Sequence, residues 1–346
     1  MANIFEGKTI LVTGGTGSVG REIVKELLPM NPKAIRVLDI DETREFEMAH
    51  AFRKLDEGNR VRYLIGDVRD KDRMKRAFEG VDIVFHCAAM KHVLACEYNS
   101  FEAVKTNVVG LQNVLDTALD ANVEKFVFTS SDKAAHPSNV MGTTKLLGEK
   151  LVTAANYYKG SRRCVFASVR FGNVFGSRGS VVPLFKKQIA KGGPVTITDT
   201  KMTRFVMTLK HTLKLLFKAT EIAQGGEVFV LKMPVLRIDD LADVMISEIA
   251  GKFAHKPAEI KKKIIGAIPG EKMYEELMTE EEALSALEAN EMFILIPPAL
   301  KDLFSIDTTR YSNTKPAKHA NYRSSDEKMM TMDEIKKLLV ETGFLK

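Results

Sequence analysis

Between Thr129 and Lys145 the chain reads TSSDKAAHPSNVMGTTK, and these 17 residues hold most of the groups able to move protons. They supply two hydroxyls (Ser130, Ser131), an acid (Asp132), an amine (Lys133) and a second amine (Lys145) four residues after Met141. Positions 141 and 145 share a face if the segment is helical. The apolar run Lys125 to Phe128 before it predicts a buried parallel strand, and Thr143 to Asn156 after it predicts a helix. Ligand chemistry in open α/β sheets sits where strands end and helices begin. Neighbouring side chains diverge along a strand, but just past a strand end a loop aims both inward. Asp132 and Lys133 are therefore read as an acid–base pair, with Ser131 beside them as a relay. The plainer alternative is a solvated Asp-Lys turn.

The elements needed to position such a pair lie upstream. Lys8 to Thr13 predicts a short strand, followed at once by Gly14, Gly15, Thr16, Gly17, Ser18, Val19 and Gly20, then by an amphipathic helix from Arg21 to Leu28. Glycines in a strand–turn–helix context let the backbone approach a pyrophosphate at a helix N-terminus. Gly14, Thr16, Gly17, Ser18, Val19 and Gly20 are thus candidate dinucleotide contacts. A second strand, Ala34 to Leu38, ends at Asp39, 19 residues beyond Gly20. An acid there accepts from the adenosine ribose hydroxyls and repels a 2′-phosphate. Ile40 follows it rather than arginine, so NAD is preferred over NADP despite the nearby Arg44; capping a helix is the alternative for Asp39 or Asp41. After the strand Val61 to Ile65, Asp67 and Val68 are placed near the adenine, with a helix cap at Lys71 as the alternative for Asp67. After the strand Val81 to His86, Ala88 and Ala89 allow close approach to the cofactor, and Lys91 and His92 point beyond it. Asn107, on a helix expected from Phe101 to Leu119, is placed to brace these loops.

Strands alternating with helices through residues 1–160 predict right-handed βαβ units and a parallel sheet. The expected fold is α/β: a Rossmann-type doubly wound parallel sheet with a smaller C-terminal α/β lobe. Residues 1–178, rejoined by 203–234, are assigned to the nucleotide domain, and 179–202 and 235–346 to the lobe.

Composition narrows the class. With 346 residues, 45% hydrophobic and 28% charged, the chain has the make-up of an ordinary globular protein. No apolar run approaches the roughly 20 residues that span a bilayer, and the N-terminus enters a strand without a basic leader. The expectation is a cytoplasmic protein with no membrane partner. The net charge of +6 suits a diphosphate-bearing substrate, while the scarcity of long Lys/Arg runs argues against nucleic acid. Cys87, Cys96 and Cys164 have no metal-ligand spacing, and none of the site residues is assigned to a metal.

Taken together, TGGTGSVG (13–20), GDVRD (66–70), AAMKHV (88–93), SSDKAAHPSNVMGTTK (130–145), RFGNVFGSRGSVVPLF (170–185), ITDTKMTRF (197–205), IPGEKMYEEL (268–277) and YRSSDE (322–327) resemble the extended short-chain dehydrogenase/reductases. The resemblance is closer still to their polysaccharide-biosynthesis branch, the UDP-N-acetylglucosamine 4,6-dehydratases, and runs nearly end to end. It implies that Asp132 and Lys133 are the dehydratase acid and base and that Lys145 holds the nicotinamide ribose. It also implies that Met141 stands where many members carry tyrosine; other members of the branch carry methionine. Leu94 and Ser100 replace prolines common in relatives. On the substrate side it points to Asn173, Arg178, Gly179, Ser180, Val181, Thr203, Arg204, Glu271, Lys272 and Arg323. Arg178 and Arg204 are also phosphate candidates on the planar geometry of arginine. The implied partner is a UDP-sugar, and the implied assembly a homo-oligomer, dimer or hexamer.

Elimination of water across C5 and C6 of a hexose requires C4 to be a ketone, because the C5 hydrogen is then acidic. Lys133 is the expected C5 base, its amine kept neutral by Lys145 and the cationic nicotinamide, and Asp132 the expected C6 acid, protonated when it acts. Methionine cannot take the C4 hydroxyl proton; Ser131 relaying to solvent or Asp132 serving twice are both open, and Met141 favours retention at C5. Two rivals remain. A 4-epimerase of the same fold needs no C5/C6 acid–base pair, and a non-catalytic dinucleotide sensor needs no Lys133.

Overall fold

Strand β1 (Thr9–Thr13) is buried at all five positions, because helices cover both faces of its sheet. The computed structural model describes residues 3–176, 180–266, 271–297, 307–311 and 313–345. The first half runs β1, α1 (Ser18–Leu27), β2 (Ala34–Asp39), α2 (Glu42–Phe52), β3 (Val61–Ile65), α3 (Lys71–Phe78), β4 (Ile83–His86), α4 (Val93–Tyr98), α5 (Ser100–Val104), α6 (Gly110–Asp120), β5 (Lys125–Thr129), α7 (Val140–Tyr158) and β6 (Val165–Arg170). Among the described residues the rest runs β7 (Asn173–Val174), α8 (Val181–Ala190), β8 (Val195–Ile197), β9 (Thr203–Met207), α9 (Leu209–Ile222), β10 (Val228–Leu231), β11 (Val235–Arg237), α10 (Ile238–Ile249), β12 (Lys262–Ile264), β13 (Glu276–Met278), α11 (Glu280–Ala283), β14 (Ala286–Glu288), β15 (Met292–Leu295), β16 (Lys315–Pro316), β17 (Tyr322–Arg323) and α12 (Met332–Glu341).

The large sheet has the order β16-β14-β15-β10-β6-β5-β4-β1-β2-β3. From β3 to β10 neighbouring strands are parallel, as expected for a doubly wound sheet. Successive residues of each strand face opposite layers. Val12 and Val37 join the core under α1 and α9, and Leu11 and Val84 join the core under α3, α6 and α7. The chain builds outward from β1 to β3, then returns to the other side of β1 with β4. That reversal opens a crevice above the C-terminal ends of β1 and β4, where a ligand is held in such sheets. The strands β14, β15 and β16, from the stretch assigned to the lobe, extend the sheet beyond β10 by antiparallel pairing.

The remaining strands form a three-stranded sheet, β11-β9-β7, and the pairs β12-β8 and β13-β17. Phe185, Leu241, Met245 and Leu339 anchor the second core, between α8, α10 and α12. Two elements differ from the sequence expectation for a local reason. Helix α7 starts at Val140 because the Asn139 side chain accepts from the Gly142 amide and caps it. The helix expected from Phe101 to Leu119 is broken by a π-helical turn, Lys105–Val109, a device common at functional sites.

Candidate active site

The nucleotide end is built by close backbone approach. Gly14 has φ +63°, and a Cβ there would lie 2.7 Å from the Ala88 amide nitrogen. Only glycine fits that position, which brings the β1 and β4 loops together. No acidic side chain occupies the first turn of α1, so its N-terminus is suited to a pyrophosphate. Asp39 does not cap a helix: its Oδ2 accepts from the Thr16 amide (3.0 Å) and hydroxyl (2.6 Å), and Asp41 caps α2. Asp67 does not cap either, since Asp70 caps α3. Burial works to raise the Asp67 carboxyl, but the hydrogen bonds and charge of Arg69 hold it below its ordinary value. Val68 is buried against Gly110. Beside the glycine loop a cleft of ≈ 320 Å³ is lined by Thr16, Ser18, Arg21, Arg44, Phe175 and Gly176 among others. This cradle of glycines, an acid-free helix start and small Ala88 and Ala89 fits a dinucleotide.

At the end of β5 the chain makes a 3-10 turn, Asp132–Ala134, capped by Ser131. Asp132 is 2% exposed. Its Oδ1 accepts from the Ser131 hydroxyl at 2.6 Å, and its two oxygens lie 3.2 and 3.0 Å from Lys133 Nζ. A second carboxyl, Glu275, reaches the same amine at 3.4 Å. Arg204 closes the group, its Nε 3.3 Å from Glu275. Charges settle differently here from the sequence expectation. Burial alone would lower the Lys133 ammonium, but the Asp132 and Glu275 carboxylates outweigh it and push it up. Burial would raise Asp132, but Lys133 and its hydrogen bonds hold it at about 2. Burial, and then the Asp132 charge, push Glu275 up to about 7. Glu275 is thus the carboxyl of the group that titrates near neutrality, and Lys145 is not what sets Lys133.

Lys145 is buried one turn into α7. It donates to the Thr129 carbonyl at 2.9 Å and stands 4.5 Å over the Phe128 ring. Burial lowers it to about 8. Met141 packs with Cys96 and Ala103 in a small apolar cluster, touching Met90 and Val93. Asn107, on the π-helical turn, clamps Met90 through both its backbone groups (2.8 and 3.0 Å) and donates to Thr144 at 3.0 Å. It braces the Ala88–Met90 loop against α7, as expected from sequence. Gly142 fixes the other side of the turn, because a Cβ there would lie 2.3 Å from the Lys133 carbonyl oxygen. Gly142→Ala is expected to push the Asp132–Lys133 turn aside and lower kcat about 10- to 100-fold, on the cost of a displacement near 1 Å. Turnover alongside circular dichroism checks this; an active, folded variant would show that the contact is not critical.

The substrate-side candidates fall into three groups. Thr203 and Arg204 turn inward: Thr203 Oγ1 pairs with Ser324 Oγ at 2.8 Å, and Arg204 donates to the Thr203 carbonyl at 2.8 Å as well as facing Glu275. Lys272 ties the lobe to the catalytic loop, while Glu271 and Arg323 are held within the lobe. Glu271 accepts from Thr198 at 2.8 Å, Lys272 donates to the His136 carbonyl at 2.6 Å, and Arg323 Nε pairs with Glu276 at 2.8 Å. Glu276 also holds His136 Nδ1 at 2.6 Å. Lys91 and His92 are exposed at the start of α4, Asn173 lies on β7, and Ser180 and Val181 begin α8. The Ser180 hydroxyl is buried without a hydrogen-bond partner among the described residues. Arg178 and Gly179 lie outside the described residues.

The family described as Polysaccharide biosynthesis protein matches residues 10–297. The chain belongs to that family. Among its relatives, an "uncharacterized membrane protein" of Methanocaldococcus jannaschii is 53% identical over 345 residues, covering 100% of this chain and 99% of that protein. A UDP-N-acetylglucosamine 4,6-dehydratase (inverting) of Campylobacter jejuni is 43% identical over 300 residues, 86% of this chain and 85% of the relative. Among solved structures, Pen from Bacillus thuringiensis superposes with a TM-score of 0.89 at 46% identity, with 99% of both chains covered. Among the described residues no helix is long and apolar enough to cross a membrane.

Within this polysaccharide-biosynthesis protein, Glu275, Glu276, His136 and Ser324 are the site residues that sequence reasoning did not single out for a role at the acid–base pair. Glu275 and Glu276 were visible as a pair of acids after Gly270-Glu271-Lys272, but the motif gives no sign of which loop they face. Only the fold brings Glu275 against Lys133, across 142 positions of sequence.

Proposed function

We propose that this protein is an NAD-dependent 4,6-dehydratase of a nucleotide sugar, acting on UDP-N-acetylglucosamine to give the 4-keto-6-deoxy sugar with loss of water. The observation that carries this reading is the buried Asp132–Lys133 pair at the end of β5, two strands from the glycine loop after β1 and beside Lys145. When bound, the dinucleotide supplies the site that accepts a hydride from C4 and gives it back at C6. Gly14, Thr16, Gly17, Ser18, Val19, Gly20, Asp39, Asp67, Val68, Ala88 and Ala89 hold it, and Lys145 fixes its nicotinamide ribose. NAD is preferred to NADP because the Asp39 carboxylate would repel a 2′-phosphate.

Lys133 removes the C5 proton once C4 is a ketone, Asp132 protonates the departing C6 oxygen, and Ser131 relays beside it. Arg178 and Gly179, together with Ser180 and Val181 at the start of α8, take the diphosphate, and Glu271, Lys272 and Arg323 the nucleoside side. Residues 1–178 with 203–234 act as the nucleotide domain, whose sheet β14 to β16 extend, and the rest of the chain as the substrate lobe. We place the protein in the cytoplasm as a homo-oligomer.

Some relatives are named UDP-glucose 4-epimerase, so the test separates the two chemistries. Purified protein with UDP-N-acetylglucosamine in deuterated water is expected to give a new C6 methyl signal with deuterium at C5, without added cofactor. The coupling pattern reads the C5 configuration. A galacto product with no methyl would assign the protein to the epimerases, and no reaction with added NAD would overturn the substrate.

A further inference from the structure

Lys133 cannot take a proton from C5 while it is an ammonium ion, and the Asp132 and Glu275 carboxylates beside it favour the ammonium. The proton count of the proposed dehydration does not solve this. The C4 hydroxyl releases one proton and the departing C6 oxygen needs one, so Asp132 can carry that proton from the first to the second. Lys133 takes a proton from C5 and later returns it there. Neither transfer leaves Lys133 neutral at the start.

We propose that Glu275 is the group that accepts the spare ammonium proton of Lys133, so that Lys133 enters the reaction as a free amine. This rests on the dehydratase reading. Nζ–H breaks and a carboxyl O–H forms on Glu275; no electrons change hands, and the transfer reverses when the substrate leaves.

The geometry singles Glu275 out. Asp132 already pairs with Lys133 at 3.0 Å, and Glu275 is the second buried carboxyl within reach of the amine, at 3.4 Å. Glu275 is held by its backbone: its amide donates to the Ser324 hydroxyl oxygen at 2.9 Å, and that hydroxyl is locked to Thr203 on β9. The charged groups facing its carboxyl are Asp132 and Lys133 from the turn and Arg204 from β9. Burial places its titration at about 7, which suits a group that takes and gives protons near neutrality. Lys133 is the one member of the group still open to solvent, with 26% of its side chain exposed against 2% for Asp132 and 7% for Glu275. Substrate on that open side displaces the water that favours the ammonium, and a drier site shifts the balance from the ion pair toward the neutral amine and carboxylic acid. Glu275 is therefore a positioning residue acting through Lys133, and does not itself touch the reacting atoms.

The test compares wild type, Glu275→Gln and Glu275→Asp, each with bound cofactor and UDP-N-acetylglucosamine. Glu275→Gln is expected to slow methyl formation by about 10²-fold or more, to lose the limb of the pH–rate profile near 7, and to keep C4 oxidation, seen as reduced-nicotinamide absorbance without product. Glu275→Asp is expected to restore part of the rate and a titrating limb. A Glu275→Gln enzyme as fast as wild type, or one that loses C4 oxidation in step with elimination, overturns the proposal. Failure of the dehydratase reading is recognised separately, by a wild type that forms no methyl product. A substrate-free measurement then still decides: the infrared carbonyl stretch of a protonated carboxylic acid is expected in wild type below about pH 6, to disappear above about pH 8, and to be missing in Glu275→Gln. No such difference band overturns the proposal. The sign of the linked stability is also fixed. A carboxyl raised from 4.5 to about 7 makes the folded state bind more protons than the unfolded one in that window, so wild type loses stability relative to Glu275→Gln as pH rises from 4.5 to about 7.

Discussion

Lys133→Ala is expected to lower kcat for dehydration by about 10²- to 10⁴-fold, the usual worth of a positioned general base, or roughly 3–5 kcal/mol of barrier. The loss should fall on kcat rather than on KM, because the Lys133 amine works at C5 and the binding surfaces lie elsewhere. Alanine also leaves Asp132 and Glu275 facing each other without the cation between them. One of the two carboxyls must then hold a proton over a wider pH range, as like charges in one site cannot both ionise cheaply. The variant is therefore expected to fold, to keep its cofactor, and to form no C6 methyl product in proton NMR. Lys145→Ala should behave differently: Lys145 donates to the Thr129 carbonyl and in the proposed function fixes the nicotinamide ribose, so cofactor retention should suffer first. A Lys133→Ala protein that still dehydrates at a rate near wild type would remove Lys133 as the base and leave the acid–base reading without its centre.

The parts of this site that could be read from sequence are those carried by local rules. Gly14 to Gly20 between a strand and a helix has few readings, and the structure shows the reason: Gly14 stands against Ala88 where no side chain fits. The alternation of short apolar strands with amphipathic helices likewise predicted the doubly wound sheet, since a strand covered on both faces has to be apolar throughout. Asp132 and Lys133 were legible because they follow a strand end directly.

What escaped is long-range. Glu275 reaches Lys133 from a different lobe, and no spacing rule links positions 142 apart. The same holds for β14 to β16, whose short strands carry no sign that they continue the large sheet beyond β10. The planar fork of arginine makes Arg204 a phosphate or sugar candidate, but no spacing rule shows that its Nε stands 3.3 Å from Glu275. The expected direction of the Lys133 shift failed for the same reason, as it weighed only the charges visible nearby in sequence. The π-helical turn at Asn107 has no distinctive composition, and its cause, a clamp on Met90, exists only once the fold forms.

Arg170→Met is expected to be the most destabilising of these substitutions, costing about 3–5 kcal/mol. Arg170 is fully buried at the end of β6. Its guanidinium grips Glu149 of α7 at 2.9 and 2.6 Å and Glu282 of α11 at 2.8 Å twice, and donates to the Leu277 carbonyl at 2.9 Å. Burial would raise Glu282, but Arg170 outweighs it and holds the carboxyl below its ordinary value. Methionine fills similar volume yet strands both carboxylates, and an uncompensated buried charge costs far more than the intact pair gains. The penalty also has a pH signature. Without Arg170 the stranded carboxyls titrate upward, so the folded state gains protons before the unfolded one and the gap to wild type narrows as pH falls through about 6 to 5. Adding Glu149→Gln removes one stranded charge and should recover part of the loss. Glu282 is a poorer site for rescue, because it also closes the cap of α11 by accepting from the Thr279 amide at 3.0 Å. Urea unfolding midpoints of the single and double variants measure each step. A single variant within about 1 kcal/mol of wild type would mean that water reaches Glu149 and Glu282 when Arg170 is gone, and that the join between β6, α7 and the lobe does not depend on this guanidinium. The same join sets the active site: one residue beyond Arg170, the Phe171 carbonyl accepts the Asp132 amide at 3.1 Å. Loosening it should therefore lower kcat as well as stability, although Arg170 lies outside the acid–base group.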